Sequence, residues 1–149
     1  IEGGQVQTSE HLKHAIQIAA EAHDGQMDKT GRPYFEHCQR VAAALVDDEA
    51  KTVAYLHDVA EKGRGWTVDR LKEEGFSAHI VSAVNALTKR GDEDEDAFLR
   101  RVFGHPLARE VKRADLEDNL WQVNLSRGSA DKYEHALEKF TEWANSSLQ

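Results

Sequence analysis

Apolar residues recur along this chain three or four positions apart, the spacing of a helix face, and no strand-length stretch alternates at a period of two. Leu12, Ile16, Ala19, Ala20 and His23 trace the stripe of a first helix, which Ser9 is placed to cap and which should end near Gly25. Residues 26–33 contain Gly31 and Pro33 and read as a loop. A second helix is expected over 34–46, with Val41, Ala44 and Leu45 on one side. A third is expected over 49–62, with Val53, Leu56 and Ala60 inward and Gly63 and Gly65 ending it. Thr67 and Ser77 stand where caps belong, before a short helix closing at Gly75 and a longer one carrying Ile80, Val81, Val84 and Leu87. Helices over 98–103, 106–125 (with Pro106 in its first turn) and 131–143 complete the chain. The pattern predicts an all-α fold: a single domain of about seven to eight helices over residues 9–145, with residues 1–8 a flexible N-terminus or a remnant outside it.

Three of these stripes carry a residue type that does not belong in an apolar core. His37 heads the series His37, Val41, Ala44, Leu45, and His57 stands among Val53, Leu56 and Ala60 with Asp58 directly after it. Asp115 continues Leu107 and Val111, so a carboxylate points inward where a leucine would be expected. An unpaired buried carboxylate costs several kcal/mol, so an acid on a core stripe implies a partner, and a divalent cation is the strongest available. His37, His57, Asp58 and Asp115 together would supply its ligands. On a continuous third helix, Glu61 falls between His57 and Asp58 one turn further on, where it would hold or deprotonate a water without ligating the metal. Lys62 projects about 40° beyond Asp58, toward a bound phosphate. Mixed imidazole and carboxylate donors suit Mn²⁺, Fe²⁺, Co²⁺ or Zn²⁺, and two acids among four ligands favour a six-coordinate ion with open positions for catalysis.

Composition narrows the partners. With 19 Lys plus Arg against 27 Asp plus Glu, a formal net charge of −8, and no basic cluster, nucleic acid is excluded as a default partner. One cysteine, Cys38, cannot form an internal disulfide, which points to a reducing, cytoplasmic setting. No apolar run has the length of a membrane span, so no membrane partner is expected, and no oligomeric state is implied. The acidic run Asp92 to Asp96 reads as a solvated loop or the first turn of a helix. His23 reads as a hydrogen-bonded core residue, and His11, His14, His79, His105 and His135 show no partner pattern. Trp66, Trp121 and Trp143 read as packing aromatics.

The order His37, His57-Asp58, Asp115 resembles the HD superfamily of metal-dependent phosphohydrolases, which are all-α and bind metal through that set. Six blocks narrow the resemblance: Ala22-His23-Asp24-Gly25-Gln26, Lys29-Thr30-Gly31, Pro33-Tyr34 with His37 three residues on, Leu56-His57-Asp58-Val59-Ala60-Glu61, Leu87-Thr88-Lys89 and Lys112-Arg113-Ala114-Asp115. They are similar to the hydrolase domain of RelA/SpoT-type enzymes and, in size, to the stand-alone small alarmone hydrolases. The resemblance spans about residues 9–143. It implies one Mn²⁺-like ion on His37, His57, Asp58 and Asp115, a phosphorylated nucleotide as small-molecule substrate, and removal of the 3′-pyrophosphate from guanosine tetra- or pentaphosphate. It also implies Glu61 as the catalytic glutamate, and Lys29, Thr30 and Asn119 as substrate-binding residues. Asn119 shares a helix face with Asp115, which agrees.

The chain departs from that family at Asp28-Lys29 in place of Arg-Lys, Cys38 in place of Pro, Glu61-Lys62 in place of Glu-Asp, and Leu116-Glu117-Asp118 in place of Arg-Leu-His. Lys62 would then offset the missing acid by stabilising charge on the transferred or leaving phosphate. Three function classes follow: an alarmone-type pyrophosphohydrolase, an HD-type nucleotidase or phosphatase acting on another phosphorylated metabolite, and a non-catalytic nucleotide-sensing module.

Overall fold

The computed structural model describes the backbone of residues 2–147 and the side chains of residues 10–146. Among the described residues there are nine helices and no strand: α1 (Glu2–Ala22), α2 (Tyr34–Ala43), α3 (Asp48–Leu56), α4 (Val59–Lys62), α5 (Val68–Glu73), α6 (Ala78–Leu87), α7 (Glu95–Phe103), α8 (Pro106–Ser126) and α9 (Asp131–Ser147). An isolated bridge between Met27 and Pro33 closes the loop after α1.

α3 is the central element and packs against α1, α2, α6 and α8. Its inner residues Ala50, Val53, Ala54 and Leu56 have no solvent exposure, and α1 presents Ala15, Ile18 and Ala19 to the core. The buried face of α1 runs through Ala15, Ile18 and Ala19, against the small inner residues Ala50 and Ala54 of α3, and turns away from Ala20. Ala20, expected inward, is therefore exposed, while Leu12 and Ile16 are half-buried. α1 is already helical from Glu2, so Ser9 lies within it and does not start it. The Ser9 side chain lies outside the described residues.

The predicted caps at Thr67 and Ser77 form, accepting from the amides of Arg70 and Ile80, and Asp47 and Asp94 cap α3 and α7 in the same way. Asp94 explains much of the acidic run, and Glu93 beside it pairs with Arg101 at 2.7 Å. α2 stops at Ala43, three residues short of the expected end. Lys51 Nζ takes the Ala42 carbonyl at 2.9 Å and the chain turns there, so that Leu45 is buried while Ala44 and Val46 face solvent.

The third predicted helix is broken, and the break falls at the His57-Asp58 pair. Asp58 has φ −106° and ψ 0°, in the bridge region rather than the helical one. The Ala54 carbonyl, which a continuous helix offers to the Asp58 amide, takes a hydrogen bond from His57 Nδ1 at 2.5 Å. Helical bonding resumes as the Lys62 and Gly63 amides donate to Asp58 and Val59 oxygens at 2.9 and 2.8 Å. The break accounts for a ninth helix where seven to eight were expected, and it changes the placement of everything after His57.

Candidate metal centre

His37 from α2, His57 and Asp58 from the α3–α4 break, and Asp115 from α8 converge so that one donor atom of each lies within 4.8 Å of the others. His37, His57 and Asp115 are buried, with 1%, 3% and 5% of their surface exposed. Asp115 Oδ1 meets His37 Nε2 at 2.9 Å and His57 Nε2 at 3.2 Å, while Asp58 Oδ2 meets His57 Nε2 at 3.0 Å. Both imidazoles thus aim Nε2 at the carboxylates. Behind them, His57 Nδ1 donates to the Ala54 carbonyl and His37 Nδ1 to Asp118 Oδ2 at 2.6 Å.

The electrostatics are those of charges held together away from water. Burial acts to discharge His57, but Asp58 and Asp115 outweigh it and hold the imidazole well above its ordinary range. Burial likewise opposes ionisation of Asp115, and the charges of Lys112 and His57 reverse that and keep it well below the usual carboxylate range. Asp58 is lowered too: burial raises it, and the His57 charge and hydrogen bond prevail. The Tyr34 hydroxyl donates to Asp58 Oδ2, and Lys112 Nζ lies 3.2 Å from Asp115 Oδ2. Ionised acids facing imidazoles whose far nitrogens are already tied are a donor set that fits a borderline divalent cation, which would displace the imidazole protons.

A cleft of about 240 Å³ opens over these residues. Glu61, Lys62 and Asn119 line it, as does Lys29, whose Nζ reaches Asn119 Oδ1 at 2.7 Å. Asn119 in turn donates to Asp115 Oδ1 at 3.2 Å, so the expected face-sharing on α8 brings it to the centre. Glu61 Oε1 accepts from the Lys89 amide at 3.1 Å, and Lys62 Nζ lies 5.2 Å over the Tyr34 ring. Thr30 is not brought to this wall, because its hydroxyl donates to Asp28 Oδ1 at 2.7 Å. Asp28 itself faces inward, accepting from Thr30, Arg32 and Arg40.

The HD-domain family model matches residues 15–116. The chain belongs to the HD-domain family. This HD domain is 40% identical over 76 residues to a guanosine-3′,5′-bis(diphosphate) 3′-pyrophosphohydrolase of Haemophilus influenzae, a match covering 48% of the chain and 11% of that protein. It is 35% identical over 89 residues to the enzyme of the same name from Aquifex aeolicus, covering 57% of the chain and 12% of the relative. The HD domain therefore corresponds to about an eighth or less of the length of these relatives. A solved structure described as a metazoan ortholog of SpoT that hydrolyses ppGpp superposes with a TM-score of 0.71 over 89% of this chain and 84% of that one, at 22% identity. The fold is thus shared as a whole.

Pattern and spacing in the sequence do not single out every residue of the HD-domain cleft. Lys112 and Asp118 stand three residues before and after Asp115, and Arg40 three after His37, so helical spacing is the signal that could have placed them on the site's face. Lys132 and Tyr133 reach the cleft from the start of α9, and Lys89 and Glu95 from around α7. Lys89 falls within one of the six sequence blocks; nothing local in the sequence marks the other three, because only the packing of the bundle brings them there. Tyr34 falls within one of the six sequence blocks, and its hydroxyl donates to Asp58 at the helix break.

Proposed function

We propose that this chain is a metal-dependent phosphohydrolase that removes the 3′-pyrophosphate of guanosine-3′,5′-bis(diphosphate), with residues 9–145 as its HD unit. The observation that carries this is the convergence of His37, His57, Asp58 and Asp115 under a cleft ringed by lysines. The names of the curated relatives support the substrate class. His37 and His57 would hold Mn²⁺ through Nε2, with Fe²⁺, Co²⁺ or Zn²⁺ as alternatives, and Asp58 and Asp115 through carboxylate oxygens. When bound, the ion lowers the pKa of a coordinated water and polarises a phosphoryl oxygen.

The remaining roles fall to this chain's side chains. Glu61, on the cleft wall and outside the ligand set, orients the attacking water and takes its proton. Lys62 and Lys112 place ammonium groups beside the centre, where charge on the leaving pyrophosphate is stabilised. Lys29 and Asn119, joined by their hydrogen bond, bind the nucleoside end, with Thr30 supporting the loop through Asp28. The protein acts in the cytoplasm on a small nucleotide.

Incubation of Mn²⁺-loaded protein with guanosine tetraphosphate, resolved by anion exchange, tests this. GDP and pyrophosphate are expected, and neither from Asp58→Asn. A lack of product sinks this substrate assignment. The ammonium of Lys62, set in the cleft where the resembled family has an acid, favours a second reading, an HD-type phosphatase for a different phosphorylated metabolite, which a panel of nucleotides and sugar phosphates would then identify.

A further inference from the structure

Each candidate ligand histidine spends one nitrogen on the centre, and what stands behind the other nitrogen differs between the two. His57 Nδ1 is tied to a main-chain carbonyl within its own turn, a contact that belongs to the helix break. His37 Nδ1 is instead tied to a side chain, Asp118 Oδ2, at 2.6 Å. Asp115 and Asp118 lie on one face of α8, and their carboxylates take opposite nitrogens of the same ring.

Asp118 is itself held from two sides. Arg40 donates from Nε to Oδ1 at 2.7 Å and from a terminal nitrogen to Oδ2 at 3.1 Å, a two-point clamp. Gln122 Nε2 donates to Oδ2 at 2.7 Å, and its 3.1 Å approach to His37 Nδ1 follows from sharing that acceptor. Arg40 is fixed in turn by Asp28 at 2.8 Å and by the Trp121 ring, 4.7 Å from its guanidinium carbon to the ring centroid. This side-chain shell stands where the sequence departs from the family it resembles, at Asp28 and at Leu116-Glu117-Asp118.

We propose that Asp118 is a positioning residue of the metal centre, fixing His37 as its Nδ1–H tautomer so that the Nε2 lone pair faces the cation. The chemistry is forced by the acceptor. Carboxylates face both ring nitrogens, Asp115 at Nε2 and Asp118 at Nδ1; once a cation takes the place of the Nε2 proton, the ionised Asp118, which can only accept, keeps the remaining proton on Nδ1 and leaves the Nε2 lone pair to ligate. A carboxylate behind a ligating imidazole also makes that ligand more basic, and loss of such a partner typically weakens metal binding about 10- to 100-fold. The inference rests on the metal-centre reading given above.

Two measurements on the full chain test it. In ¹⁵N-histidine-labelled protein loaded with Zn²⁺, His37 should show a protonated Nδ1 and a metal-shifted Nε2; coordination through Nδ1 overturns the proposal without any variant. In competition with a chromophoric chelator, Asp118→Asn should lose about 10- to 100-fold in affinity for Mn²⁺ and Zn²⁺. A variant that binds both metals within about threefold of wild type, even if it melts earlier, makes Asp118 a fold-stabilising residue only and overturns the proposal. Failure of the wild-type protein to bind either ion overturns the metal-centre reading itself, a result distinct from a loss confined to the variant.

Discussion

Asp28 occupies a position where the resembled family carries an arginine, and its surroundings show what the exchange does. Its side chain is fully enclosed, and Oδ1 accepts from the Thr30 amide, the Thr30 hydroxyl and the Arg32 amide, while Oδ2 accepts from Arg40. Burial alone would raise its pKa; the Arg40 and Thr30 hydrogen bonds overcome that and bring it from 3.8 down to about 2. A depressed folded-state pKa means stability that is present above the unfolded value and lost as pH falls from there through the folded one. Asp28→Asn should therefore destabilise the protein by about 2 kcal/mol at neutral pH, since a tenfold change in an acid's dissociation constant corresponds to about 1.4 kcal/mol. The difference in urea midpoint between variant and wild type should begin to narrow below about pH 4 and go on shrinking toward about pH 2. A difference that stays constant from about pH 6 to about pH 3 would show that the charge of Asp28 contributes nothing and that only the loop's hydrogen bonds matter.

At the scale of the element, the break between α3 and α4 is the step by which a helix becomes a site. The inward stripe Val53, Leu56, His57 is legible in the sequence, because a polar residue at a core position stands out against the period. The break is not legible, because no propensity of Val, Ala or Glu foretells it; where it falls, the His57 imidazole takes the Ala54 carbonyl that a continuous helix would offer to the Asp58 amide. An unbroken helix would place Glu61 and Lys62 by angle alone; in the structure they are carried on a separate short helix that rests against α1. That rest is tight at Gly63, where a Cβ would come 2.7 Å from the Val59 oxygen and 2.8 Å from the Ala22 Cβ. Its φ of −84° suits any residue, so the constraint is space, not backbone freedom. Gly63→Ala should cost about 1–3 kcal/mol, as overpacking does, and move α4 with its two cleft residues. Denaturant midpoints would measure the cost, and an unchanged midpoint would mean that α4 is free to shift away from α1 without penalty.

The whole molecule carries a formal charge of −8, yet the cleft is lined by Lys29, Lys62, Lys89, Lys112 and Lys132. Net charge says nothing of distribution: the sequence has no basic cluster because these lysines come from separate stretches of the chain, gathered by the fold. The candidate metal ligands His37, His57 and Asp115, by contrast, are readable one helix at a time, since each interrupts the apolar stripe of its own helix. Two of the lysines are partly neutralised, Lys112 by Asp115 at 3.2 Å and Lys89 by Glu95 at 3.3 Å. Lys62 and Lys132 lie against aromatic faces, the Tyr34 ring at 5.2 Å and the Tyr133 ring at 6.0 Å, which leave an ammonium's charge largely available to an anion. If the gathered charge governs capture, kcat/KM for guanosine tetraphosphate should fall several-fold as ionic strength rises from about 0.05 to about 0.5 M, where the screening length drops to a few ångströms. The opposite sign is just as definite: were the net charge of the molecule in control, an anionic substrate would be repelled at low salt and kcat/KM would rise over the same range. A rise, or a flat response, would therefore show that the lysine cleft does not govern substrate capture and would leave that role to the candidate metal centre.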